Sequence, residues 1–210
     1  MAKKQISAGG IKIGGGAPVT VQSMTNTKTE DVEATSAQIQ RLCDAGCEIV
    51  RLAVPNKEAA RAIASYKERF NIPIVADIHF DYKLAIESAE AGADKIRINP
   101  GNIGGEDRVK AVVNECRLKG IPIRIGVNGG SLEKELLAKY GGVTARALFE
   151  SAMGHVRLLN KFDFDDICIS AKASDVPLTV ATYRMLAEET DYPLHLGVTE
   201  AGTEYAGTIK

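Results

Sequence analysis

The chain is predicted to be an α/β protein of the (βα)8 TIM-barrel type, incomplete at about seven strands and preceded by a glycine-rich hairpin. Three observations predict it. Short β-branched runs alternate with helical stretches along all 210 residues, the pattern of repeated βα units on a parallel sheet. The units echo one another: Ala45-Gly46-Cys47-Glu48-Ile49-Val50-Arg51 resembles Ala91-Gly92-Ala93-Asp94-Lys95-Ile96-Arg97, and Ile72-Pro73-Ile74 resembles Ile121-Pro122-Ile123. Finally, polar residues two apart cluster near the C-terminal ends of successive strands, where barrel active sites form, and this favours a barrel over a doubly wound sheet.

Taken in order, residues 5–19 carry Gly9, Gly10, Gly14, Gly15 and Gly16 around Ile11-Lys12-Ile13, a hairpin signature that sets residues 1–18 apart from a barrel at 19–210. A phosphate loop is the competing reading. No helix follows these glycines, and no Lys-Ser/Thr pair closes them. Strands are predicted at 19–24, 48–54, 72–78, 95–99, 121–128, 166–171 and 193–199. Helices are predicted at 31–45, 57–70, 82–91, 106–119, 132–139, 144–160 and 174–189, with Asp31 and Ser174 as N-caps. Gly46, Gly92 and Gly120 sit where helices should stop. Barrels of this type run to about 250 residues, so the sequence is expected to lack the eighth strand. Made alone it is expected to be aggregation-prone or loosely folded, because strand edges stay unpaired.

A formal charge of -1 and a pI near 6.3 give no global pull toward nucleic acid or membrane, so any anion site must be local. There is no apolar run of spanning length, and the cytoplasm is the expected location. Cys43, Cys47, Cys116 and Cys168 include no pair at two-residue spacing, so they predict neither a metal site nor a disulfide framework.

The candidate site rests on strand alternation. Residues at i, i+2 and i+4 share a face, so Asp77 and His79, Arg97 and Asn99, and Arg124, Gly126 and Asn128 each point one way. Arg51, Arg97 and Arg124 are flanked by Val, Ile or Leu, and a buried guanidinium cannot shed its charge. Internal ion pairs with Asp77 or Glu200 would satisfy some of them. With Lys172 the cations outnumber the acids in view, which points to a diphosphate or polyphosphate ligand. Asn99 and Asn128 could add neutral donors, and Asp77 could orient His79 for acid–base work. Glu200 ends the last predicted strand, a place for a general acid or base. His155 and His195 are read as structural.

The strings Pro18-Val-Thr-Val-Gln-Ser-Met-Thr-Asn-Thr27, Val75-Ala-Asp-Ile-His-Phe-Asp-Tyr82, Arg97-Ile-Asn-Pro-Gly-Asn-Ile-Gly104, Pro122-Ile-Arg-Ile-Gly-Val-Asn128, Ala171-Lys-Ala-Ser-Asp175 and Leu194-His-Leu-Gly-Val-Thr-Glu-Ala-Gly202 closely resemble the 4-hydroxy-3-methylbut-2-en-1-yl diphosphate synthases of the non-mevalonate isoprenoid pathway. The resemblance implies an oxidoreductase that reductively opens and dehydroxylates 2-C-methyl-D-erythritol 2,4-cyclodiphosphate, with electrons from flavodoxin or ferredoxin passing through a [4Fe-4S] cluster. It implies Arg51, Arg97, Arg124, Lys172, Asn99 and Asn128 on phosphate or sugar oxygens, Asp77, His79 and Glu200 at the reacting end, and a homodimer. The family's cluster ligands belong to a smaller domain expected beyond residue 210, so none is carried onto this chain's cysteines. The chain alone is therefore expected to be inactive. Two other readings stand: a module that captures an anionic metabolite without turnover, and a cluster-independent barrel lyase or pterin-type synthase.

Overall fold

The computed structural model describes residues 3–197 and 202–209. It opens with an antiparallel hairpin, β1 (Gln5–Ala8) and β2 (Ile11–Gly14), turning at Gly9 and Gly10. Six parallel strands follow in sequential order: β3 (Gln22–Met24), β4 (Ile49–Ala53), β5 (Ile74–Asp77), β6 (Lys95–Ile98), β7 (Ile123–Asn128) and β8 (Ile167–Lys172). The connecting helices are α1 (Val32–Asp44), α2 (Lys57–Arg69), α3 (Tyr82–Glu90), the single turn α4 (Pro100–Ile103), α5 (Glu106–Lys119), α6 (Lys134–Tyr140) and α7 (Ala145–Asn160). After β8 come α8 (Val176–Glu189) and α9 (Glu204–Ile209).

The helices begin and end for local reasons. Asp31, Asn56, Asp81, Thr144 and Asp175 each accept a hydrogen bond from a first-turn amide, removing one orphan donor per helix. The α8 cap is thus Asp175, not the expected Ser174, because the cap must lie one residue before the Val176-Pro177 start. At the other end, Gly120 closes α5 in the left-handed region at φ 64°, where a side chain would be strained.

Two predicted strands are shorter than expected. The first keeps only Gln22–Met24, leaving Val19 96% exposed. The predicted 193–199 strand contributes one parallel bridge, Leu194 to Ile169, and its residues 198–199 lie outside the described residues. The strand order and the seven long helices agree with the sequence reading to within a few residues.

The apolar core lies outside the sheet. Val50, Leu52, Ile74, Ala76, Ile96, Ile98, Ile123, Ile125, Ile167 and Ile169 point at the helices and are essentially inaccessible. The opposite face carries Arg51, Asp77, Lys95, Arg97, Arg124, Cys168, Ser170 and Lys172, as the pairings Asp77↔Arg97↔Arg124↔Cys168 require. Strands β4 and β8 are four spacings apart, about 19 Å in a flat sheet. Arg51 and Lys172 nevertheless line one small cavity, so the sheet curls into a barrel wall with its polar face inside.

The hairpin crosses beneath this wall. Ile6 and Ala8 are buried, Gly9 lies so close to Pro73 that a Cβ would come within 2.8 Å, and Gly14 lies against Pro193. Lys4 pairs with Asp165 at 2.5 Å and lies 4.2 Å from the centre of the Tyr192 ring. Its backbone N–H donates to Asp191 O. The hairpin therefore ties the start of β5 to the segment after α8.

Candidate functional site

The strands' C-terminal ends enclose a cavity of about 160 Å³ lined by Arg51, Asp77, His79, Arg97, Arg124, Asn128, Ser170 and Lys172. Its lining is almost wholly polar. Asp77 is its one carboxylate among the described residues, and three side chains converge on it: Arg97 Nη1 donates to Oδ1 at 3.0 Å, His79 Nε2 lies 3.3 Å from Oδ2, and Arg51 Nε lies 3.7 Å from Oδ2. Burial alone would raise the Asp77 pKa. The His79 hydrogen bond and the charges of Arg97 and Arg51 outweigh it and hold the carboxyl well below the usual range.

The cations are held in different ways. Arg51 leans on the Met24 sulfur, with Nε at 3.0 Å and Nη2 at 2.8 Å. Arg97 Nη2 donates to Gly126 O at 3.1 Å. The Asn128 amide is oriented so that its oxygen accepts from Arg97 Nη2 at 3.3 Å and its nitrogen donates to Val127 O. Arg124 is 1% exposed, and among the described residues neither its Nε nor its Nη2 has a hydrogen-bond partner. Burial and the charges of Arg51 and Arg97 disfavour its cation. Lys172 is pushed down to about 8, by burial first and then by Arg124, Arg51 and Arg97.

Below this layer lies Lys95, also 1% exposed and pushed down to about 8 by burial, with Arg124 and Arg51 adding to the effect. Arg51, Lys95, Arg97, Arg124 and Lys172 thus share the barrel interior with one carboxylate among the described residues. A low-dielectric enclosure with that imbalance carries excess positive charge, and burying guanidinium groups without partners is costly.

Of the residues singled out from sequence, Asp77, His79, Arg51, Arg97, Arg124, Asn128 and Lys172 lie together. Asn99 lies apart. Strand β6 ends at Ile98, and the Asn99 side chain turns to cap α4 through Gly101 N at 3.2 Å while its Nδ2 donates to Ser131 Oγ at 3.3 Å. Ser131 in turn bonds Asn128 O, so Asn99 braces the loop after β7. Glu200 lies outside the described residues. Sequence reasoning missed Ser170 and Lys95. Both were visible in the alternation, Lys95 two before Arg97 and Ser170 two before Lys172.

His155 pairs with Glu133 at 3.1 Å, and Ser151 Oγ donates to the same carboxylate at 3.0 Å. This clasp ties α7 to the start of α6. His195 is near the cationic wall: burial, then the charges of Arg124 and Lys172, push it down to about 2, so its ring is neutral. Cys116 lies on the buried face of α5 and Cys168 in the barrel interior, while Cys43 and Cys47 flank the end of α1. Among the described residues no three His, Cys, Asp or Glu side chains converge as metal ligands.

A curled parallel sheet whose cationic mouth holds one carboxylate among the described residues defines the class: an incomplete TIM-type barrel with a cation-rich polar cavity at the C-terminal ends of its strands. Residues 3–210 match the family model described as the GcpE TIM-barrel domain, and the chain belongs to that family. It is 60% identical over 207 residues to the 4-hydroxy-3-methylbut-2-en-1-yl diphosphate synthase (flavodoxin) of Ruminiclostridium cellulolyticum, covering 99% of this chain and 59% of that protein. The protein of the same name from Bacillus subtilis is 58% identical, with 99% and 55% covered. The chain thus spans little more than half the length of these curated relatives. Among solved structures, Yersinia pestis dihydropteroate synthase superposes with a TM-score of 0.65 at 15% identity, covering 98% of this chain and 79% of that one. At that identity the likeness concerns the fold alone.

Proposed function

We propose that this barrel holds 2-C-methyl-D-erythritol 2,4-cyclodiphosphate for reductive ring opening and dehydroxylation to 4-hydroxy-3-methylbut-2-enyl diphosphate. The observation that carries the reading is Arg124, a fully buried guanidinium with two nitrogens unpartnered among the described residues, facing a cavity rich in cations. Burying a charge without a partner is expensive, and a diphosphate supplies the missing acceptors. The names of the relatives support the substrate class and flavodoxin as electron donor.

In this reading Arg51, Arg97, Arg124 and Lys172 grip phosphate oxygens and Asn128 adds a neutral contact. Asn99 works through Ser131. Asp77 and the half-exposed His79 face the reacting end, and Glu200 is proposed as a further acid–base group. The reaction needs two electrons, which a [4Fe-4S] cluster fed by flavodoxin or ferredoxin would supply. The thiols described here do not fit a cluster, since Cys116 and Cys168 are buried on different elements. A cytoplasmic homodimer completes the proposal.

Calorimetry with the cyclodiphosphate tests it. The chain should bind the substrate without converting it in the presence of a reductant, and Arg97→Ala and Arg124→Ala should each abolish binding. Unchanged affinity in both variants would refute the site, and turnover by the chain alone would refute its dependence on an external electron carrier.

A further inference from the structure

Gly126 stands on the polar face of β7 between Arg124 and Asn128, opposite Ser170 of β8. A Cβ built there would meet Arg97 Nε at 2.2 Å, Nη2 at 2.7 Å and Cζ at 2.8 Å. These are impossible contacts, so the guanidinium occupies the space that any other residue's side chain would take. The backbone itself does not demand glycine, because Gly126 is absent from the positive-φ positions. In a strand interior, glycine weakens the sheet and marks close approach by another group. Here that group is Arg97, laid against the strand with Nη1 on Asp77 Oδ1 at 3.0 Å and Nη2 on Gly126 O at 3.1 Å.

We infer that Gly126 is a positioning residue that seats Arg97 flat on β7 and so sets how the cavity meets its anionic ligand. The inference rests on the anion-site reading proposed above. Seated this way, Arg97 is held by Asp77 and Gly126 O and lines the cavity beside Arg124. A methyl group at 126 would push the guanidinium up into the ligand's space and pull it off Asp77.

The test is a double-mutant cycle in the 210-residue chain, with inorganic pyrophosphate as the probe. Gly126→Ala should lower pyrophosphate affinity by about tenfold or more and lower the urea midpoint. In an Arg97→Ala background, where the anion contact itself is removed and only stability is read, the same substitution should no longer lower the midpoint, since the clash is gone. Wild-type affinity in Gly126→Ala, or an equal fall of the urea midpoint in both backgrounds, would overturn the inference. If Gly126→Ala does not fold, a folded Gly126→Ala/Arg97→Ala chain supports the seat and an unfolded one overturns it. If the wild-type chain binds no pyrophosphate, the anion-site reading fails, and the midpoints alone then decide whether Arg97 needs the glycine.

Discussion

Replacing Arg124 by methionine should make the ligand-free chain more stable while removing its affinity for diphosphates. Arg124 is 1% exposed, and its Nε and Nη2 lack partners among the described residues. Each buried unsatisfied donor costs about 1–3 kcal/mol. Exchanging buried ionic groups for apolar side chains of similar size has been worth about 1–4 kcal/mol of stability. The methionine side chain would keep the aliphatic volume against Cys168 across the strand pair. A gain of about 1–3 kcal/mol is therefore expected, read as a higher urea midpoint at unchanged slope in a buffer free of phosphate and sulfate. Losing one partner of a buried charged contact costs about 2–5 kcal/mol of binding, so pyrophosphate affinity should fall by about 30- to 5,000-fold. A destabilised Arg124→Met chain that still binds pyrophosphate like wild type would refute the reasoning, since the arginine would then be serving the fold and not the ligand.

Other predictions follow from the same interior. Lys95 has a pKa of about 8 when folded, against an ordinary value of 10.5. The unfolded chain therefore holds more protons between these values, and stability should rise as the pH is raised from 8 to 10.5. That gain reaches about 3 kcal/mol at most, and Lys172, also pushed down to about 8, adds to the rise over the same range. Lys95→Met should therefore make a pH series of urea melts shallower without flattening it, whereas an equally steep series in the variant would assign the gain to other groups. The Asp77 pKa is depressed, so its contribution is present above the ordinary carboxylate range and lost as the pH falls below it. Asp77→Asn should lower stability at neutral pH and flatten the acid limb of a stability profile. Gly14, at φ 80° with a Cβ position 2.6 Å from Lys4 O and from the Pro193 ring, should not tolerate Ala without a loss of about 1–3 kcal/mol. A normal melt for Gly14→Ala would mean that the hairpin does not clamp the segment after α8. Ser131→Ala should weaken pyrophosphate binding as much as Asn99→Ala does, because both break one brace. Loss in Asn99→Ala alone would mean a direct contact.

Much of this was legible because strand alternation carries both halves of the design. The runs Ile-Val-Arg-Leu-Ala, Lys-Ile-Arg-Ile and Ile-Arg-Ile-Gly-Val-Asn put β-branched residues toward the helices and polar ones inside. Alternation holds only while the strand lasts, and that is why Asn99 was placed on the cavity face when it had already turned to cap α4. The same limit applies at 193–197, where Pro193-Leu194-His195 has strand composition yet makes a single bridge. Pairing there depends on neighbours distant in sequence, which no local pattern records. The seat at Gly126 was likewise invisible, since a glycine in a strand reads as weakness until the side chain lying across it is known.

The placement of the core explains how the fold carries so unfavourable an interior. TIM barrels ordinarily fill their centre with layers of Val, Ile and Leu, whereas this wall places Lys95, Arg97 and Arg124 there. While Ile49 and Val75 share the inner face with the cations at the N-terminal end of their strands, the main apolar core of the sheet, from Val50 to Ile169, faces the helices. That layer is continuous, with Ile63, Tyr66, Val112, Leu148, Val156 and Leu186 closing over it from the helical side. The outer layer therefore supplies most of the apolar stabilisation, enough to carry the cost of the charges on the inner face. The inner face can then hold several cations around Asp77, a strain that an anionic ligand relieves. Binding should accordingly stabilise this chain more than its contact area suggests. Saturating pyrophosphate should raise the urea midpoint of the wild-type chain and leave that of Arg124→Met nearly unmoved.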